Sequence, residues 1–128
     1  MNPIELLVIL WAGHYLADFP LQPAFVAEMK KKILLESIGF HCLTAHAFIQ
    51  GLVAGIITQR FWVGVFVGAT HWLIDFGKSC QLLDDRFPHT KGARVEGIQT
   101  AGLYGINVDQ ALHFAVMVIV VIVLGVQA

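Results

Sequence analysis

The stretch that decides the fold is residues 37–78, SIGFHCLTAHAFIQGLVAGIITQRFWVGVFVGATHWLIDFGK. It consists of two apolar runs that are separated only by Gln59 and Arg60. A helix crosses the hydrocarbon core of a membrane with about 20 largely apolar residues. Each run therefore predicts a transmembrane helix, and the two-residue separation predicts a tight helical hairpin.

The composition of the whole chain extends this interpretation. Of the 128 residues, 57% are hydrophobic and 13% are charged, and the mean hydropathy is +0.72. Soluble proteins carry about a quarter charged residues, and a small domain leaves a large share of its surface in water. These values argue against a soluble enzyme, a disordered tail or a secreted disulfide scaffold. A net charge of −1 provides no basic field, so we expect no nucleic-acid partner.

Four stretches can serve as membrane spans, at about residues 3–19, 37–58, 61–78 and 107–126. We therefore predict one all-α integral membrane domain over residues 1–128, folded as a four-transmembrane-helix bundle. Residues 23–36 mix apolar side chains with three lysines, which predicts a short interfacial helix between spans 1 and 2. Residues 79–106 predict a cytoplasmic loop that acts as a lid or a mobile connection.

The basic residues predict the orientation of these spans. Only Arg60 lies on the side opposite the two long connections, whose side carries Lys30, Lys31, Lys32, Lys78, Arg86, Lys91 and Arg94. Cytoplasmic loops close to span ends are enriched in lysine and arginine. The chain is thus predicted to be a multi-pass protein of the inner (cytoplasmic) membrane, with both termini outside the cytoplasm.

Ionisable residues occur in every predicted span, near the same end of the bundle. In three spans a histidine and an aspartate are four residues apart, a spacing that places both on one helix face. The remaining span supplies one further histidine. Because successive spans run in opposite directions, we expect these side chains to meet near the cytoplasmic face. The candidate metal ligands are His14, Asp18, His46, His71, Asp75, Asp109 and His113.

Imidazole nitrogens and carboxylate oxygens are ligands for zinc, iron and manganese. Ionisable groups within a membrane are costly and indicate function by default. The pattern predicts one or two divalent ions, zinc in the first place and iron or manganese as alternatives. The structural alternative is that these side chains only hydrogen-bond between helices. Such contacts are worth about 1 kcal/mol or less each, so we favour a functional cluster. For His41 and His89 a solvated side chain is the expected state.

Three motifs connect the chain to a known group of proteins. They are HYLADFPLQP at residues 14–23, HWLIDFGK at 71–78 and DQALH at 109–113, with His46 between the first two. Over about residues 6–123 the chain resembles the small bacterial and phage membrane proteins of domain-of-unknown-function family 3307. The resemblance implies a four-helix membrane fold with these polar positions. A looser similarity is to membrane-bound metal-dependent hydrolases, which also place histidine and aspartate on short spans.

The leading functional hypothesis is a membrane-embedded metal-dependent hydrolase that opens to the cytoplasmic face. A bound divalent ion lowers the pKa of its water ligand and polarises the scissile group. Asp75 and Asp109 are the candidates for the general base, and Lys78 is the candidate for contact with an anionic substrate. A lipid-linked phosphoester or another amphiphilic ester fits a site at this level. The loop residues expected to close over its anionic part are Arg86, Lys91 and Arg94.

Two other functions stay open at this point. One is a metal- or proton-binding or transport module, in which the same cluster carries ions. The other is a non-enzymatic membrane effector with a structural metal. All three functions have membrane lipid as a partner, and the sequence leaves a homo-oligomer open.

Overall fold

The computed structural model describes residues 1–79, 91–95, 98–101 and 103–127. Within these residues the chain is helical apart from one antiparallel pair of short strands. The elements are α1 (Pro3–Asp18), α2 (Ala24–Met29), a 3₁₀ turn (Lys30–Lys32), α3 (Ser37–Thr58), α4 (Phe61–Ser79), β1 (Lys91–Val95), β2 (Ile98–Ala101) and α5 (Leu103–Gln127). The predicted all-α class is confirmed for the described residues, apart from this short strand pair.

Helix α1 begins at a complete capping box. The Glu5 backbone N–H donates to the Asn2 side-chain oxygen at 2.9 Å, and the Asn2 backbone N–H donates to a Glu5 carboxylate oxygen at 3.0 Å. Pro3 occupies the first helical position, where its missing N–H costs nothing. The helix ends at Asp18, two residues before Pro20. The capping box and Pro20 thus set where α1 begins and ends, and they place His14 and Asp18 in its last turns.

The predicted hairpin between α3 and α4 is present. Gln59 ends α3 in the left-handed region, with φ of 53°, and α4 begins at Phe61. The two helices then approach closely at glycines. A Cβ atom added at Gly51 would lie 2.5 Å from the carbonyl oxygen of Gly64. Close backbone contact of this kind requires glycine on both helices.

The four long helices pack side by side, with α1 and α4 each in contact with both α3 and α5. One end of this arrangement is an apolar core made of Leu10, Ala54, Val63, Val67, Met117, Val120 and Val121. The histidines and aspartates follow on the same helices, toward the other end. The bundle is thus divided along its length into an apolar half and a polar half.

The predicted four-transmembrane-helix bundle is wrong. Among the described residues, only two helical segments are long and apolar enough to cross a membrane: Ser37–Thr58, which is α3, and Val108–Gly125 within α5. Helix α1 has 16 residues, which at 1.5 Å per residue is about 24 Å, less than the core thickness of about 30 Å. Helix α4 has 19 residues, but its polar side chains, among them His71, Asp75 and Lys78, lower its mean hydropathy. Total apolar content therefore overestimated the number of spans.

The two predicted connections also differ from the structure. The helix between α1 and α3 covers only Ala24–Met29 and continues as a 3₁₀ turn, instead of filling residues 23–36. The segment predicted as a loop contains β1 and β2, paired with Arg94 opposite Gln99 and Val95 opposite Ile98. Helix α5 begins at Leu103, earlier than the predicted residue 107. Residues 80–90, which include Arg86 and His89, lie outside the described residues.

Candidate metal centre

The structure brings together all seven side chains that the sequence singles out as ligands. They come from α1, α3, α4 and α5 and lie in the polar half of the bundle. All four histidines are at most 2% exposed, and Asp75 and Asp109 are 5% and 3% exposed. Asp18 is partly exposed, with 13% of its side chain accessible. The cluster is therefore shielded from solvent on most sides, and Asp18 is its most exposed member.

One group of ligand atoms consists of a ring nitrogen from each of His46 and His71 and a carboxylate oxygen from each of Asp18 and Asp75. His46 Nε2 lies 2.9 Å from His71 Nε2, 3.1 Å from Asp18 Oδ1 and 3.6 Å from Asp75 Oδ2. His71 Nε2 lies 3.8 Å from Asp18 Oδ1 and 3.5 Å from Asp75 Oδ2. A tetrahedral zinc with bonds of about 2.0 Å keeps its ligand atoms about 3.3 Å apart. The distance between the two ring nitrogens and the distances from each of them to the two carboxylate oxygens, 2.9–3.8 Å in all, are close to that value.

A second group of ligand atoms lies beside the first. His14 Nε2 is 3.4 Å from Asp18 Oδ2, and His113 Nε2 is 3.8 Å from Asp75 Oδ1. His14, His71 and His113 each offer a ring nitrogen within 4.8 Å of the other two. Asp18 and Asp75 thus direct one oxygen to each group, which is how a carboxylate bridges two metal ions.

Hydrogen bonds fix the tautomers of two of these histidines. His14 Nδ1 donates to Gln50 Oε1 at 3.1 Å, and His113 Nδ1 donates to the Asp109 backbone carbonyl at 2.9 Å. In both rings the lone pair is then on Nε2, the pattern of metal-bound histidines. Within the described part of the chain, neither Nε2 atom has a hydrogen-bond partner. A buried acceptor without a partner is costly, and a cation between these rings would satisfy both.

Asp109 lies at the edge of the cluster. Its Oδ2 accepts a hydrogen bond from Lys78 Nζ at 2.8 Å, and its Oδ1 lies 3.8 Å from His113 Nδ1. Asp75, Asp109 and His113 each offer a ligand atom within 4.8 Å of the other two. Asp109 can therefore serve either as a further ligand or as a base next to the ligands.

Three glutamines surround Asp18. Gln50 Nε2 donates to Asp18 Oδ1 at 2.8 Å, Gln110 Nε2 reaches Asp18 Oδ2 at 3.4 Å, and Gln22 Nε2 donates to the Asp18 backbone carbonyl at 3.1 Å. Gln50 is 1% exposed and joins Asp18 to His14. These amides hold the carboxylate in place, as outer partners of a metal site commonly do.

Lys30 is the residue of this region that sequence reasoning missed. Its Nζ lies 2.8 Å from Asp75 Oδ2, and its side chain is 17% exposed. It belongs to the 3₁₀ turn, outside the helical periodicity that places the other residues, and the run of three lysines suggested contact with a membrane surface. Lys78, which the sequence did single out, pairs with Asp109. His41 is exposed, as expected for a histidine outside the cluster.

The directions in which the pKa values of Asp18, Asp75 and His14 shift suit metal binding. Burial opposes ionisation of Asp18, but its hydrogen bond with His46 and the nearby imidazoles hold the pKa of that carboxyl below its ordinary value. Burial also opposes ionisation of Asp75, whose pKa is lowered by His71 and by the Lys30 ammonium. Burial lowers the pKa of His14 although Asp18 acts in the other direction. Charged carboxylates and neutral imidazoles are the forms that bind a divalent ion.

Comparisons with known proteins identify one family that the chain matches. Residues 6–128 match the family described as "Protein of unknown function (DUF3307)". No curated protein and no solved structure matches the chain.

Proposed function

The chain belongs to the DUF3307 family, whose description assigns no function, and from its own geometry we propose that it is a membrane-bound, metal-dependent hydrolase. The observation that carries the proposal is the pair of adjacent ligand groups that share Asp18 and Asp75. Seven buried or largely buried histidines and aspartates in one cluster exceed the needs of a single tetrahedral ion. We propose two divalent ions, zinc in the first place.

The roles of the residues follow from their positions. Divalent ions bound here supply a water of lowered pKa and polarise the bond to be broken. Asp18 and Asp75 hold both groups together, while His46 and His71 complete the first group and His14 and His113 the second. Asp109 has an oxygen without a hydrogen-bond partner among the described residues, so it is the best placed general base. The histidines are buried inside the polar half of the bundle, so bulk water does not reach them.

The surface of the bundle supports the membrane part of the proposal. Large apolar side chains on α3 and α5 face outward, for example Phe48 at 69% exposed, Ile56 at 67% and Ile122 at 59%. Contiguous exposed apolar surface of this kind indicates contact with lipid or with another protein. We propose that α3 and the segment Val108–Gly125 cross the membrane. A substrate with both an apolar part and a phosphoester or ester then reaches the cluster from the lipid. The placement of both termini outside the cytoplasm stays a prediction.

A transport function is the weaker candidate. A transporter needs a polar path between both faces of the membrane. The apolar core from Leu10 to Val121 fills the other half of the described bundle. The cluster is therefore closed at that end, as suits an enzyme that opens to one side.

Metal content tests the metal part of the proposal. Protein purified in detergent from zinc-supplemented cells should contain about two zinc ions per chain by elemental analysis. The variant His71→Ala should lose most of this zinc, because His71 belongs to the first group and lies beside the second. His41→Ala, which changes an exposed histidine of α3, is the matched control and should keep the full content. Zinc-free wild-type protein, or equal zinc in both variants, would contradict the proposal.

Hydrolysis tests the catalytic part. The zinc-loaded protein is assayed with p-nitrophenyl phosphate, bis-p-nitrophenyl phosphate and p-nitrophenyl butyrate in lipid–detergent micelles. We expect hydrolysis of at least one phosphoester, its loss on chelation and its return on addition of zinc. Asp109→Asn should reduce the rate by about 10²-fold or more while zinc content is kept. Full zinc content with no hydrolysis of any of these substrates would favour the effector hypothesis over an enzyme.

A further inference from the structure

Two lysine side chains reach the metal-ligand cluster from different elements. Lys30, on the 3₁₀ turn, places its Nζ 2.8 Å from Asp75, and Lys78, on the last turn of α4, places its Nζ 2.8 Å from Asp109. Asp75 and Asp109 each offer an oxygen within 4.8 Å of the other. The two ammonium groups are thus held by neighbouring carboxylates of one centre.

Both ammonium groups have capacity for a further partner. An ammonium group has three N–H donors, and among the described residues each lysine donates to one carboxylate. The side chains are 17% and 44% exposed, whereas the histidines behind them are almost completely buried. The lysines therefore lie on the solvent side of the carboxylates that they contact.

The position of Lys30 is built into the fold. Ser79 Oγ, at the end of α4, donates to the Lys30 backbone carbonyl at 3.3 Å. Ile33 is the first residue after the 3₁₀ turn, and Gly39 of α3 lies against it. A Cβ atom added at Gly39 would be only 2.7 Å from the Ile33 backbone. Lys32, in the same turn, lies 3.8 Å from Glu36 at the surface, and its side chain is 40% exposed. Only Lys30 of this pair is directed to the centre.

The net charge of the centre indicates which kind of ligand the two lysines bind. The three carboxylates and two ammonium groups together leave one net negative charge. Each divalent ion adds two positive charges, so the loaded centre is cationic and attracts an anion. A tetrahedral oxyanion has several oxygens that can accept charge-assisted hydrogen bonds from lysine ammonium groups.

We propose that Lys30 and Lys78 form a phosphate-binding site on the solvent side of the metal centre, so that the substrate is a phosphate ester bound by its phosphoryl group. This inference rests on the proposed function, whose substrate class it narrows from esters in general to phosphoesters. It assigns Lys30 a substrate contact that its place in a lysine run does not suggest.

The test is a titration of inorganic phosphate into zinc-loaded, detergent-solubilised protein, followed by isothermal calorimetry. Wild-type protein should show saturable binding. Lys30→Gln and Lys78→Gln should each weaken it at least 10-fold, Lys30→Arg should weaken it less than 3-fold, and the matched control Lys32→Gln should leave it within 2-fold. Circular dichroism and zinc content are measured on the same samples. If Lys30→Gln does not fold, the phosphate affinities of Lys30→Arg and Lys78→Gln are compared instead. Weaker binding by Lys78→Gln than by Lys30→Arg then supports the inference, and equal binding contradicts it.

A second arm replaces inorganic phosphate with phosphatidic acid in mixed micelles. Tighter binding of the lipid, still dependent on Lys30, assigns the site to a lipid headgroup, and equal binding assigns it to a phosphate of any source. Zinc-loaded protein whose phosphate affinity is the same in Lys30→Gln and Lys32→Gln overturns the inference and leaves the metal centre intact. Protein that takes up no zinc when zinc is supplied, yet binds phosphate through Lys30, supports the lysine site and contradicts the metal-dependent hydrolase.

Discussion

At the scale of single residues, Gln50 is the side chain on which the arrangement of the cluster most depends. It accepts from His14 and donates to Asp18, and it is 1% exposed. Gln50→Leu keeps the approximate volume but leaves both partners without their hydrogen bond. We expect the free energy of unfolding to fall by about 1–3 kcal/mol. Denaturant unfolding in detergent, monitored by circular dichroism, measures it.

The control for Gln50→Leu is Phe48→Leu, on the exposed face of the same helix. A surface change of this kind should alter the free energy of unfolding by about 0.5 kcal/mol or less. Equal effects of the two substitutions would show that the hydrogen bonds of Gln50 do not stabilise the cluster.

Residue spacing explains which parts of the centre were predictable. A separation of four residues fixes two side chains on one helix face whatever the tertiary structure, so the His14–Asp18, His71–Asp75 and Asp109–His113 pairs could be read from the sequence. The contact between Lys30 and Asp75 depends on how the turn after α2 folds back against α4. No periodicity specifies that contact. Only the tertiary structure brings Lys30 and Asp75 together.

At the scale of elements, the α3–α4 contact depends on glycine at specific positions. An added Cβ at Gly51 meets the Gly64 carbonyl, whereas one at Gly77 of α4 meets nothing within 4 Å. Gly51→Ala should therefore destabilise the protein, and Gly77→Ala should stabilise it by about 0.5–1 kcal/mol, because alanine restricts the unfolded chain and favours helix. Thermal unfolding of the two variants beside wild type measures both effects. A Gly51→Ala variant as stable as wild type would contradict the close contact.

The same scale separates predicted elements from missed ones. The hairpin of α3 and α4 was predictable because only Gln59 and Arg60 interrupt two long apolar runs. Strands β1 and β2 were missed because apolar and polar side chains alternate only over residues 93–96 and 98–99, with glycines at positions 92, 97 and 102. Backbone hydrogen bonds, rather than a side-chain pattern, pair Lys91–Val95 with Ile98–Ala101. Sequence patterning carries little information about such a short hairpin.

At the scale of the whole molecule, composition indicated lipid but overestimated the number of spans. Two described segments, Ser37–Thr58 and Val108–Gly125, are long and apolar enough to cross a membrane. A chain that crosses the bilayer through them should stay in the membrane pellet after washing with sodium carbonate at pH 11 and enter the supernatant only with detergent. Immunoblotting of the fractions measures this. Release by carbonate alone would show that the exposed apolar surface binds something other than the bilayer interior.

Anomalous X-ray scattering locates bound zinc in the bundle. Crystals of protein prepared with zinc are measured on both sides of the zinc absorption edge. We expect anomalous density within about 2.0–2.1 Å of His46 Nε2 and His71 Nε2, and a second peak between His14 and His113. Zinc-supplied crystals with no anomalous density inside the bundle, and with the His46 and His71 rings still in direct contact, would contradict this expectation.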